Sequence, residues 1–163
     1  MKIKKVHVLG ESYDICLCDK GEADHCMGND ETGAIDYYSK QIFLRDMQEN
    51  ARLEENQSEV ISRPDVLQNI VLRHEIVHSF FFESGNYCNY GQDERLVDWI
   101  AIMAPKLIRS FYGAGAFSEE EIAEFGKILE EAPKWQDMKD STKIPQSQSA
   151  QGTTPAGFAV TKN

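Results

Sequence analysis

Basic residues, cysteines and long apolar runs are what this chain has least of, and each shortage removes a class of function. Only 17 Lys and Arg stand against 27 Asp and Glu, a formal charge of −10. Such a surface repels phosphate, which argues against direct nucleic-acid binding and against an anionic membrane. A basic protein partner is the one electrostatics favours. No apolar run approaches the roughly 18 residues of a membrane span. The opening MKIKKVHVLGESYD meets Glu11 and Asp14 too soon for the apolar region of a signal peptide, so a cytoplasmic protein is expected.

Four cysteines are too few for a disulfide scaffold, and a reducing compartment keeps them as thiols. Cys16-x-Cys18 followed by His25-Cys26 raises the idea of a second metal site, but the spacing is not the Cys-x2-4-Cys of zinc knuckles. Small buried or half-buried thiols are the expectation. His7 and His25 read as ordinary strand and loop residues.

At 163 residues the chain fits one domain able to bury a core without a structural staple. IKKVHVLGESYDICLCD reads as a strand pair around Gly10-Glu11. GAIDYYSKQIFLR reads as a second, Ala34 to Tyr38 and Gln41 to Leu44, turning at Ser39-Lys40. The amino-terminal third is therefore expected to be a small, mostly antiparallel sheet, with Gln41 to Leu44 a possible edge for an extended peptide. Asp46 to Arg63 is polar and weakly periodic, a surface connection.

A helix should follow from Pro64 to Glu83 or Ser84, stopping at Gly85, with Asp65 and Gln68 as a capping pair. Its apolar residues, from Ile70 to the Phe80-Phe81-Phe82 run, point in nearly every direction, which predicts a fully buried helix. A second helix carries ERLVDWIAIMA and ends or kinks at Pro105. A third, SEEEIAEFGKILEEA, begins at a Ser118/Glu121 capping box, and its stripe of Ile122, Phe125, Ile128 and Leu129 is expected to pack on the core. The domain is thus read as 1–135, followed by a disordered tail over 136–163 rich in Ser, Thr, Gln, Pro and Gly.

Against the apolar helix, His74, Glu75 and His78 stand out. Residues four apart on a helix lie one above the other, so both imidazoles can direct a nitrogen to one point. Glu75 is rotated by about 100° from His74 and about 60° from His78, which lets it flank the pair and reach a water there. This is the mechanical content of His-Glu-x-x-His. A catalytic zinc needs a third protein ligand. Glu83 points about 140° away from His78 by the same geometry. Glu94 lies beyond the turn SGNYCNYGQ, which lets the second helix fold back beside the first, and Asp98 one turn later can fix a histidine tautomer. The competing reading makes Glu94 and Asp98 a solvated helix face.

His74-Glu75-x-x-His78 followed by Glu94-x-x-x-Asp98 resembles the gluzincin arrangement of zinc metallopeptidases. VLRHEIVHSFFFESG…DERLVDWIA resembles, more narrowly, the ImmA/IrrE-type metallopeptidase-like proteins of phages and bacterial mobile elements, closely over Val71 to Ile102. The resemblance implies an α+β, zincin-like fold, Zn2+ held by His74, His78 and Glu94, and a peptidase in which Glu75 moves the proton of an attacking water. It also suggests a protein substrate, with a basic DNA-binding regulator of phage or host as the type. The chain departs from several members in showing no appended DNA-binding or sensor domain. Tyr87, Tyr90 and Arg95 are candidates, from chain proximity, for contacts to the transition state or substrate. Two other readings compete: a zinc-binding interaction module without turnover, and an interaction protein in which the helix pair is only core. The oligomeric state is left open.

Overall fold

The structure, a computed structural model, describes residues 2–28, 31–49 and 63–131. The predicted tail, and the middle of the predicted connection between Asp46 and Arg63, lie outside the described residues. Among the described residues no helix is long and apolar enough to cross a membrane.

Strands β1 (Lys2–Val8) and β2 (Glu11–Cys18) form an antiparallel hairpin, turning through Leu9 and Gly10, both at positive φ. Helix α1 (Lys20–Cys26) follows. Then come β3 (Gly33–Asp36) and β4 (Gln41–Arg45), again antiparallel. The sheet order is β1-β2-β4-β3, and β4 lies parallel to β2. The fold is α+β with a mixed four-stranded sheet.

Three expectations change here. Gln41 to Leu44 is an interior strand, and the edge beside the long helix is β3. The β3 strand stops at Asp36 because its carboxylate accepts from the Tyr38 and Ser39 amides, at 2.9 and 3.1 Å, and turns Tyr37 and Tyr38 out of the ladder. His25 belongs to a helix rather than a loop. Asp19 caps α1 reciprocally with Glu22, and that Asp-x-x-Glu spacing was present in the sequence.

Period-two alternation divides β2 between two layers. Tyr13, Ile15 and Leu17 face the main core with Val8, Ile42, Leu44, Met47 and Val71. Cys16 and Cys18 face Ala23 of α1 on the other side. Both thiols are buried and directed at backbone carbonyls, and burial, then the nearby Cys26, pushes the Cys18 thiol up to about 11. They remain protonated packing groups, and no cysteine joins the set of metal-capable donors found among the described residues.

Helix α2 (Pro64–Glu83) covers the core face of the sheet. Gly85, at φ 72°, ends it where the sequence predicts. Its predicted capping pair does not form: no side chain caps this end, and Gln68 is buried and accepts from the Met47 amide at 3.0 Å. Nor is α2 buried all round: the sheet covers one face and α3 with the π-helical turn another, and part of its surface remains open. Phe80 is 44% exposed, and Phe82 stacks on Tyr37 with ring centroids 4.5 Å apart. Glu83 accepts from Tyr13 and Lys40 and so pins the carboxyl end of α2 to the sheet.

A π-helical turn (Tyr87–Gly91) leads into α3 (Glu94–Gly113), capped by Asp93 through the Arg95 and Leu96 amides. Helix α3 runs through Pro105 without ending. Proline lacks the N–H that would bond to the Ala101 carbonyl, and Arg73 Nε of α2 donates to that oxygen at 2.6 Å. The helix breaker thus becomes an anchor between helices. Helix α4 (Glu119–Glu131) has its predicted Ser118/Glu121 capping box. Its stripe does not reach the core, however. Ile122, Phe125, Ile128 and Leu129 remain exposed and line a groove with the carboxyl half of α3.

Arg73→Met should destabilise the protein by about 1–3 kcal/mol, the cost of an orphaned buried carbonyl. Pro105→Ala restores the helix's own donor, so the same Arg73 substitution should cost well under half as much in that background by urea denaturation. Equal costs in both backgrounds would contradict the anchoring role.

Candidate metal centre

His74, Glu75 and His78 sit at the middle of α2, where it crosses the sheet edge and meets α3. The two helices run antiparallel, so higher numbers on one meet lower numbers on the other. His78 meets Glu94, His74 meets Asp98, and Arg73 meets Ala101. The site is one stretch of this ladder.

Each imidazole is oriented by its Nδ1. His78 Nδ1 lies 3.0 Å from the Gly91 carbonyl, and His74 Nδ1 lies 2.9 Å from Asp98 Oδ1. A carbonyl only accepts, and an ionised carboxylate only accepts, so both Nδ1 atoms carry the hydrogen. In the neutral rings both Nε2 atoms are then bare lone pairs, and they face each other at 2.9 Å. Glu94 Oε2 stands 3.2 Å from one and 3.5 Å from the other. Three acceptors converge with no hydrogen between them, an arrangement that repels unless a cation is shared. A proton is disfavoured on His78, where burial, then the neighbouring His74 ring, lowers the pKa against the opposing pull of Glu94 and Gly91.

A metal ion shared by all three donors would also supply that charge. Tetrahedral zinc with bonds of about 2.0–2.1 Å requires its donors to be about 3.3 Å apart, and the three separations straddle that value. His74, His78 and Glu94 are the one group of three such donors found among the described residues, and they can hold a metal ion. Glu94 begins α3, where the helix dipole favours a negative charge. Glu83, held by Tyr13 and Lys40, has no part in the group.

Glu75 lies beside the donors and is only 6% exposed. Its carboxyl has no hydrogen-bond partner among the described residues. Burial, followed by the charges of Glu94 and Glu31, pushes its pKa up to about 8. The room for it is made by Gly33 at the start of β3. A Cβ there would come within 2.7 Å of both Glu75 Oε1 and Val71 Cγ1, so only glycine lets the edge strand pass this close.

Gly91 serves the same purpose on the other side. A side chain would collide with Tyr87 at 2.6 Å and with Phe81 Cβ at 3.0 Å, and the Gly91 carbonyl would no longer reach His78. Neither glycine was singled out by the sequence, since each is set by a tertiary approach. Tyr37 was missed for the same reason. Its ring meets Phe82 and Tyr87, and burial raises its pKa, with Tyr87, Glu75 and Glu94 adding to the effect. Of the predicted contact residues, Tyr87 belongs to this aromatic group beside the carboxylates. Tyr90 is half exposed against Phe81, and the Arg95 side chain extends into solvent near Asp93.

No family model, curated protein or solved structure matches the chain. What the site can do must therefore be inferred from its own donors. It has two tautomer-fixed imidazoles, one carboxylate to complete a trio, and a second, unpartnered carboxyl within reach.

After chelator treatment, the folded protein keeps the Glu75 proton up to about pH 8, whereas the unfolded chain releases it near 4.5. The stability present below pH 4.5 is then lost as pH rises through 8. His78 acts in the opposite sense below pH 6.5, so the comparison begins above that. Between pH 7 and 8 the urea midpoint of the chelated protein should fall while that of Glu75→Gln stays level. Parallel slopes would contradict the burial of an unpaired carboxyl.

Proposed function

We propose that this protein is a zinc-dependent metallopeptidase that hydrolyses peptide bonds of a protein substrate. The observation that carries the proposal is the placement of the unpartnered Glu75 carboxyl beside the convergent His74, His78 and Glu94 donors. Kinship with ImmA/IrrE-type proteins, within a zincin-like fold, belongs to the same proposal. It rests on the spacing of His74, Glu75, His78, Glu94 and Asp98, and suggests a basic regulator as substrate.

In this account His74, His78 and Glu94 hold the ion. When bound, zinc supplies Lewis acidity, lowering the pKa of a water and polarising a carbonyl. The protein's own groups do the rest. Asp98 and the Gly91 carbonyl keep both rings in the liganding tautomer and orientation. A nearby dication favours the charged carboxylate, so Glu75 ionises and its oxygen can take a proton from the attacking water. The same oxygen later returns that proton to the departing amine. Among the described residues strand β3 has one ladder partner, β4, and its outer edge beside Glu75 could take an extended peptide.

Glu75→Gln should reduce peptide hydrolysis by about 10²–10⁴-fold while retaining zinc and fold. Glu94→Ala should weaken zinc affinity far more than Glu83→Ala, measured by competition with a chelator. Full activity in Glu75→Gln would defeat the mechanism. Tight zinc with no hydrolysis by the unmutated protein would favour an interaction module.

A further inference from the structure

The face of α2 that carries the site does not begin at His74. Leu67, Ile70 and Val71 precede His74, Glu75 and His78 at offsets of three and four, so they form one continuous stripe. Across from its first half runs the segment Glu31 to Gly33, and between them opens a cleft of about 400 Å³. This is within the roughly 300–1,000 Å³ of small-ligand sites. Glu75 is part of its lining.

The lining divides by chemistry. Leu67, Ile70 and Val71 form an aliphatic wall, while Glu31, Glu75 and Asp98 contribute carboxyl groups, and neither lysine nor arginine lines the cleft. Glu31 is firmly placed for an exposed residue. Its carbonyl accepts from the buried Arg45 side chain at 3.0 Å, and the next carbonyl, of Thr32, accepts from the Arg45 amide, also at 3.0 Å. The Arg45 guanidinium itself is directed at Asp24 and the Gly28 carbonyl. The Glu31 carboxylate has no ion-pair partner among the described residues. An aliphatic wall beside the unpaired Glu31 carboxylate suits a side chain with an apolar stem and a cationic tip.

We propose that this cleft is a specificity pocket for a lysine or arginine side chain of the substrate, its stem lying on Leu67, Ile70 and Val71 and its charge meeting Glu31. The proposal rests on the peptidase reading for its substrate, but its test does not depend on turnover.

Two pairs of peptide hydroxamates serve as probes of the zinc-loaded full-length chain. Within each pair one residue is arginine or norleucine, and that residue precedes the chelating group in one pair and follows it in the other. In one pair, calorimetry should find the arginine probe bound about tenfold more tightly or better, with the advantage shrinking in high salt. Glu31→Gln should bring the members of that pair to within about twofold of each other. Equal affinities in both pairs, no binding by any probe, or an arginine preference that survives Glu31→Gln would overturn the pocket. Hydrolysis of unmodified peptides is scored separately. An arginine preference without hydrolysis sustains the pocket and defeats the peptidase, and hydrolysis without the preference does the reverse.

Discussion

Two neutral imidazoles whose Nδ1 hydrogens are both engaged by protein acceptors present bare Nε2 atoms, and helix packing brings those atoms together; the rest of the site depends on that constraint. At 2.9 Å, with a Glu94 oxygen nearby, the three lone pairs need a shared positive charge. Burial disfavours a proton on His78. The packing of α2 on α3 holds the donors together, and each contact in that packing has a local cause. Pro105 frees the Ala101 carbonyl for Arg73, Gly91 brings a carbonyl to His78, and the Asp93 cap starts α3 so that Glu94 stands at its first position.

The same economy governs Glu75. A mostly buried carboxyl without partners costs folding free energy, and the edge strand reaches it only because Gly33 has no side chain. A carboxyl kept at such cost, next to donors that could hold a metal ion, suits the proton-transfer role proposed for it. The acidic lining beyond it extends the same electrostatic character towards Glu31, so a cation at the donors and a basic side chain in the cleft would each relieve repulsion that the folded chain otherwise carries.

Much of this was legible in the sequence where it depended on local spacing. His74, Glu75 and His78 share a helix, and the turn after Gly85 could be seen to return Glu94 and Asp98 to them, because helical geometry fixes direction over such distances. The Ser118 capping box and the β1–β2 hairpin were legible for the same reason. What escaped notice was set by tertiary approach: the parallel pairing of β2 with β4, the close passes at Gly33 and Gly91, the turn that delivers Tyr37, and the Arg73 bond to Ala101. The apolar stripes of α2 and α4 misled in one way. A hydrophobic pattern marks a face that can be covered, while the extent of the sheet decides how much is. Helix α1 was a different case, since the Asp19/Glu22 box that starts it was in view.

The central claim is a metal centre built from two imidazoles and one carboxylate of α2 and α3. X-ray absorption on the zinc-loaded protein, taken with its metal content, tests it most directly. The account predicts one zinc per chain with two imidazole nitrogens at about 2.0–2.1 Å, oxygen as the remaining neighbours and no sulfur. Substoichiometric zinc, or a sulfur shell at about 2.3 Å that would place the ion at the cysteines, would contradict it.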